Sequence, residues 1–279
     1  MTFSSVIPAA DYDFGLMTPA DDFLNSANLP ADQALILSNS PGVDAIALLA
    51  GNDTANDDGG SRIYFGNAGN DTISGNGGDD TLAGGQDQDV LRGGDGNDAI
   101  FGNKGQDLLY GDAGNDLMFG GQETDLLVGG EGSDTLIGDL ASDLLAGNAG
   151  GDLFVLNTSH LGTAEADAIL DFDRAGGDRI GLTGTITEAD LILTAQNVSL
   201  QELIANNSGL VPPEFASLLT PALVRQLLQQ ATGVDVDPNG DGIVTGTLIS
   251  VNTPGVGPQE LGAVFNATPA DLSGAFVAF

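Results

Sequence analysis

Along residues 66–155 apolar and polar positions repeat with a period of nine, ten times without a gap. In register the copies run GNAGNDTIS, GNGGDDTLA, GGQDQDVLR, GGDGNDAIF, GNKGQDLLY, GDAGNDLMF, GGQETDLLV, GGEGSDTLI, GDLASDLLA and GNAGGDLFV. The eighth place is always large and apolar, as Ile73, Leu82, Leu91, Ile100, Leu109, Met118, Leu127, Leu136, Leu145 and Phe154. The first six places are rich in Gly, Asn and Asp. That pattern predicts a turn followed by a three-residue strand with an apolar centre. A strand so short cannot bury its one apolar side chain alone. Stacked copies can, because parallel strands about 4.8 Å apart bring those side chains into one continuous file.

The turn places are equally constrained. The first is Gly in every copy from Gly66 to Gly147, and the second is always Gly, Asn or Asp, the types that tolerate a left-handed backbone. The sixth is always Asp: Asp71, Asp80, Asp89, Asp98, Asp107, Asp116, Asp125, Asp134, Asp143 and Asp152. Stacked turns place these carboxylates in rows a few ångströms apart, where unneutralised charges repel. A cation must sit between them. Hard oxygen donors without His or Cys select calcium over zinc or copper.

The array resembles the RTX, or haemolysin-type, calcium-binding repeat, GGxGxDxUx with U large and apolar. The resemblance implies a parallel β-roll with two nonapeptides per coil and calcium held between same-side turns. It also implies the ligands: the Asp carboxylates together with carbonyl oxygens at the second place (Asn76, Gly94, Asp112, Gly130) and the fourth (Gly78, Gly96, Gly114, Gly132). Upstream the register continues through Asp53 with Ala55, and Asp44 with Ile46; between Asp53 and Asp71, Arg62 takes the sixth place and Tyr64 the eighth. Thirteen slots from 44 to 152 give about six and a half coils, a rod of roughly 30 Å. One row is then 44, 62, 80, 98, 116, 134 and 152, and the other 53, 71, 89, 107, 125 and 143. The rows are unequal: the fourth place is Gly throughout 78–150 in the first, but in the second it becomes Asp87, Glu123 and Ala141 alongside intact Gly69 and Gly105. Calcium is therefore expected to be ordered along 80–152, patchy around those three replacements, and absent beside Arg62, whose guanidinium supplies a fixed charge between Asp44 and Asp80.

Charge fits this picture. Net charge is −34, from 40 acidic and 6 basic residues. That excludes nucleic-acid binding and docking on anionic membrane, while 41% hydrophobic content argues for a chain that folds once its charge is compensated. Ten calcium ions would supply about +20. Cys is absent, so there is no disulfide framework. The first eleven residues lack Lys and Arg, no apolar stretch reaches membrane-spanning length, and no Sec or Tat signal is expected. The resemblance implies type I secretion, directed by a C-terminal region; residues 271–279 end acidic then apolar, as a signal or an ordinary last strand would.

The flanks divide the chain. Residues 1–38, with Pro8, Pro19 and Pro30, read as an N-terminal cap over the open first coil or as a disordered leader. The roll spans 39–155. Residues 156–182 read as its closing strands, since 166–182 is similar to the segment that commonly ends RTX arrays; this implies Asp167, Asp171 and Asp178 as further ligands, the alternative being the wet face of a strand. Residues 183–279 read as a small α+β domain packed on the end of the roll. Its signals are capping boxes at Thr187/Asp190 and Ser199/Glu202, a helix from Pro221 to Gly233 with Leu223, Val224, Leu227 and Leu228 on one face, and β-prone runs at 243–251 and 261–267. Asp237, Asn239 and Asp241, followed by Gly242, resemble an EF-hand or dockerin-type loop, but Leu248 takes the place of the twelfth-position carboxylate. A plain Asp/Asn/Gly turn is the alternative.

No catalytic set is visible. His160 is the single histidine, so paired-His zinc motifs cannot exist, and the turns lack the Lys of a phosphate loop. The fold class is thus mainly β, a parallel β-roll with a small α+β C-terminal domain, and the cofactor is calcium in several copies. The function expected is a secreted, non-enzymatic calcium-binding module that folds in extracellular calcium and acts at or outside the cell surface. Two alternatives stand: a carrier whose C-terminal domain binds a glycan or surface component, and an enzyme with an unrecognised site in 183–279. The outward residues of the coils turn from polar (Thr72, Ser74) to apolar (Leu108, Tyr110, Leu117, Phe119, Leu126, Val128, Leu144). The late coils are therefore expected to be covered, by the C-terminal domain or by self-association.

Overall fold

A computed structural model describes residues 34–36, 45–48, 50–57, 59–158, 166–199, 225, 226, 229, 230, 232–238, 240, 241, 243–253 and 256–279. Its strands in chain order are β1 (Ala34–Ile36), β2 (Ala45–Ala47), β3 (Thr54–Asn56), β4 (Ile63–Ala68), β5 (Thr72–Gly77), β6 (Thr81–Gln86) and β7 (Val90–Asp95). Then come β8 (Ala99–Lys104), β9 (Leu108–Ala113), β10 (Leu117–Gln122), β11 (Leu126–Glu131), β12 (Thr135–Asp139), β13 (Leu144–Ala149) and β14 (Leu153–Leu156). After the array follow β15 (Asp167–Ile169), β16 (Arg179–Leu182), β17 (Leu191–Ser199), β18 (Ile243–Thr253), β19 (Gly257–Phe265), a short helix α1 (Pro269–Leu272) and β20 (Phe276–Ala278).

Each strand of the array pairs in parallel with the strand eighteen residues away, as Leu82 with Ile100 and Ile73 with Leu91. Two nonapeptides therefore make one coil, and the structure is a β-solenoid of two facing sheets. One has nine strands in the order β2-β4-β6-β8-β10-β12-β14-β16-β20; the other has eleven, β1-β3-β5-β7-β9-β11-β13-β15-β19-β18-β17. The eighth-place side chains from Ile46 to Phe154 form the core, each 1% exposed or less. Burying one such aliphatic side chain contributes about 1.5–3 kcal/mol. The single file, repeated thirteen times, is what offsets the ordering of so much Gly-rich turn.

The strands are longer than the three residues expected. Pairing passes through the seventh, eighth and ninth places, skips the first, and resumes at the second: Thr81↔Ala99, Leu82↔Ile100, Ala83↔Phe101, then Gly85↔Asn103. Gly84 and Gly102 step out of the ladder. The second place then turns the chain with a positive φ in every copy, from 62° at Asn76 to 124° at Gly85, which accounts for the restriction to Gly, Asn and Asp.

The described strands beyond residue 183 continue both sheets at the end of the roll. β19 pairs in parallel with β15, β20 pairs in parallel with β16, and β17 and β18 extend the larger sheet as antiparallel neighbours. Thr187 caps a single 3-10 turn, Glu188–Asp190, before β17. A second box, Thr268 with Asp271 and Pro269 between, starts α1 and escaped the sequence reading. Arg225, Gln226, Gln229, Gln230 and Thr232 are helical, and the Gly233 amide donates to the Gln229 carbonyl at 3.0 Å with φ 76°, ending the helix as expected. Leu223, Val224, Leu227, Leu228, Asp44, Asn239, Glu202, His160 and residues 1–33 lie outside the described residues.

Among the described residues the apolar late coils are covered on the larger sheet and partly bare on the other. Leu126, Val128 and Leu144 pack in a second core with Leu170, Val236, Val244 and Phe265. On the other sheet Leu117 is 38% exposed, and Phe101 stacks on Phe119 with centroids 5.1 Å apart. Among the described residues no helix is long and apolar enough to cross a membrane.

Candidate metal-binding turns

The sixth-place carboxylates do two separate things with their two oxygens. Oδ1 accepts the backbone amide of the sixth residue one coil earlier: Asp53 to Asp71, Asp71 to Asp89, Asp89 to Asp107 and Asp107 to Asp125, each at 2.8 Å. The opposite row repeats this from Asp80 to Asp98 at 2.7 Å through Asp134 to Asp152 at 2.9 Å. Oδ2 is different. In Asp53, Asp71, Asp80, Asp89, Asp98, Asp107, Asp116, Asp125, Asp134, Asp143 and Asp152 it is buried with no hydrogen-bond partner. A buried, charged oxygen left without a partner costs several kcal/mol, so eleven in two rows point to a ligand.

The first-place Gly shows what surrounds that oxygen. A Cβ built on Gly66 would overlap Asp71 Oδ2 and lie 2.5 Å from the Gly84 carbonyl oxygen; Gly102 repeats the pattern with Asp107 and Gly120, and Gly111 with Asp116 and Gly129. One carboxylate oxygen and one carbonyl oxygen from the next coil thus converge on the bare face of Gly66, Gly75, Gly93, Gly102, Gly111, Gly120 and Gly129. The second-place and fourth-place carbonyls lie close to the same places one coil on. The Asn76 carbonyl faces the second-place Gly94, and the Gly78 carbonyl faces the fourth-place Gly96. Among the described residues no three acidic, His or Cys side chains converge on one point. The donors these turns offer, buried carboxylate oxygens and main-chain carbonyls, are all hard oxygen, which fits calcium.

A family model of the RTX calcium-binding nonapeptide repeat matches the chain four times, at residues 63–91, 84–118, 92–127 and 119–154. Residues 63–154 are RTX calcium-binding repeats. No curated protein and no solved structure matches the chain.

RTX repeats bind several calcium ions, and without an ion these carboxylates hold protons unusually tightly. Burial pushes Asp71 and Asp107 up to about 7, and Asp89 and Asp125 to about 8. In the other row burial raises Asp80 and Asp134 to about 7, and Asp116 and Asp152 to about 6. Beyond burial, Asp87 adds charge beside Asp71 and Asp89, and Glu123 beside Asp107 and Asp125.

The end of the RTX array closes with hydrogen bonds. Asp167 accepts the Asp143 amide at 3.1 Å and Asp178 accepts the Asp152 amide at 2.9 Å, so both rows gain one more carboxylate. Asp178 also accepts the Asp173 amide, and Asp171 takes the amides of Gly147 and Asn148 on its two oxygens. The Asp235–Asp241 loop is separate from the array. Asp237 Oδ1 accepts the amides of Gly240 and Asp241 at 3.0 and 3.2 Å, Asp241 Oδ1 accepts that of Ile243 at 2.8 Å, and Asp235 pairs with Arg225. These bonds brace a turn, and Asn239 lies outside the described residues.

Proposed function

We propose that the chain is a secreted module whose roll closes when it meets extracellular calcium, and that it acts structurally or as an interaction module at or beyond the cell surface. The observation that carries this is the double row of buried, partnerless Oδ2 atoms. In calcium-poor cytosol the rows repel and the coils stay open; at millimolar calcium each ion neutralises a row position and the coils close. Asp53, Asp71, Asp80, Asp89, Asp98, Asp107, Asp116, Asp125, Asp134, Asp143 and Asp152 would supply the charged oxygens, and the turn carbonyls the rest. Export by type I secretion suits a chain that folds only outside. A partner, whether a glycan, a surface component or a second copy, would meet the face bearing Leu117, Phe119 and Leu140, because the opposite face is already covered. The role is non-enzymatic.

Calcium titrated into metal-free protein tests this. β-structure should appear cooperatively with a midpoint of about 10⁻⁴–10⁻³ M, as for other extracellular calcium modules. Full β-structure in metal-free protein at neutral pH and low salt would sink the proposal.

A further inference from the structure

One turn of the roll does not fit a calcium ion. In the nonapeptide 57–65 the first place is Asp57 instead of Gly and the sixth is Arg62 instead of Asp. The backbone keeps the pattern of its neighbours: the Arg62 amide donates to Asp80 Oδ1 at 2.7 Å, and the Thr81 amide to the Arg62 carbonyl at 2.8 Å. The side chains differ. Arg62 Nη1 is bonded to Asp57 Oδ1, with the Asp57 side chain fully buried and that of Arg62 10% exposed. The Asp57 side chain thus grows from the face that every later repeat leaves bare, and the guanidinium brings a positive charge to that turn. Elsewhere a Gly and an Asp carry one negative charge and need an outside cation. Here an Asp and an Arg sum to zero. The Asn76 side-chain amide further engages the Asp57 carbonyl at 2.5 Å and Asn56 Oδ1 at 2.6 Å. Tyr64, among the largest fully buried side chains, fills the file beneath.

We infer that the Asp57–Arg62 pair stands in for a bound ion and keeps the first coils, around β3 to β5, closed in calcium-free protein. The array then has a preformed edge on which calcium adds the later coils. A pair this buried is weakly screened by salt, so it holds on either side of a membrane, whereas the later turns depend on calcium supply. This rests on the calcium-driven folding proposed above.

Hydrogen exchange on the full-length calcium-free protein tests both levels. Amides in 54–74 should exchange at least about tenfold more slowly than those in 99–149. The double variant Asp57→Gly with Arg62→Asp restores the pattern of the later repeats; it should lose that difference without calcium and bind at least one more calcium ion when calcium is supplied. Fast exchange throughout 54–74 in the wild-type, calcium-free protein overturns the inference, as does a double variant with unchanged calcium stoichiometry and unchanged protection. Slow exchange along the whole array without calcium overturns the calcium-driven folding on which it rests, a result distinct from either.

Discussion

Oδ1 of Asp107 accepts the backbone amide of Asp89 at 2.8 Å, while Oδ2 of the same carboxylate is buried without a partner. One side chain therefore splices adjacent coils and offers a charged oxygen to a ligand. The two roles are separable. Asp107→Asn keeps an acceptor for the Asp89 amide but removes the charge, so the roll should still close in calcium with at least one ion fewer. Asp107→Ala removes both and leaves a buried amide unpaired, costing a further 1–3 kcal/mol or so. Calorimetric stoichiometry with denaturant unfolding in saturating calcium distinguishes them; equal stability of the two variants would mean the Oδ1 bond contributes nothing.

Space at the first place can be tested apart from backbone angle. Gly102 has no left-handed φ, so Ala suits its backbone, yet the new Cβ would lie 2.5 Å from the Gly120 carbonyl oxygen and overlap Asp107 Oδ2. Gly102→Ala should weaken calcium binding at that turn by tenfold or more, on the order of 1.4 kcal/mol, and shift the calcium midpoint of folding upward. A midpoint identical to wild type would show that the first-place Gly is not there to leave room for the ion.

These relationships were unevenly legible in the sequence. The period of nine placed the buried file, and in-phase Gly, Asn and Asp at the second place foretold the positive φ now seen from Asn67 to Asn148. Each is a constraint on one residue, and a repeat displays such constraints plainly. What pairs with what was less visible. The amide-to-Oδ1 splice joins residues eighteen apart, as Asp71 to Asp89, and nothing in one nonapeptide announces it. Asp57 with Arg62 was half seen: Arg62 stood out in an Asp slot, and its partner was expected across the row at Asp44 and Asp80. The partner Asp57 sits in the same turn, at a place where only the loss of a Gly could have marked it. Beyond residue 183 no period exists, so strands β18 and β19 could be placed while the pairing of β19 with β15 could not.

Acid should substitute for calcium. Burial raises the row carboxylates to between about 6 and 8 in the folded, metal-free roll, against about 4 in the unfolded chain. A carboxyl with a raised folded-state pKa contributes stability that is complete below its unfolded value and is lost as pH rises through the folded value. Metal-free protein should therefore hold more β-structure at pH 5 than at pH 8.5, by circular dichroism. Calcium binding near pH 7 should release protons, and the calcium midpoint should rise as pH falls. A metal-free protein equally unfolded at both values would contradict this.

The two rows should respond differently to one glycine. In the row of Asp80 to Asp152 the fourth place is Gly with φ from 97° at Gly78 to 147° at Gly150. In the other row Asp87, Glu123 and Ala141 take 72°, 74° and 88° at that place. Those values lie in the left-handed region, which costs a residue with a Cβ about 1 kcal/mol or more. The narrower angle also re-aims the turn carbonyl. Ala141→Gly relieves the strain without changing charge, so it should stabilise the calcium-loaded protein by about 1 kcal/mol and tighten calcium at its own turn. The converse, Gly114→Ala, meets the Gly96 carbonyl oxygen head-on as well as an angle of 142°; it should cost more than the first change gains. Denaturant unfolding in saturating calcium reads both. If Ala141→Gly leaves stability and affinity unchanged, the fourth place accepts a side chain at no cost and the rows are equivalent calcium sites.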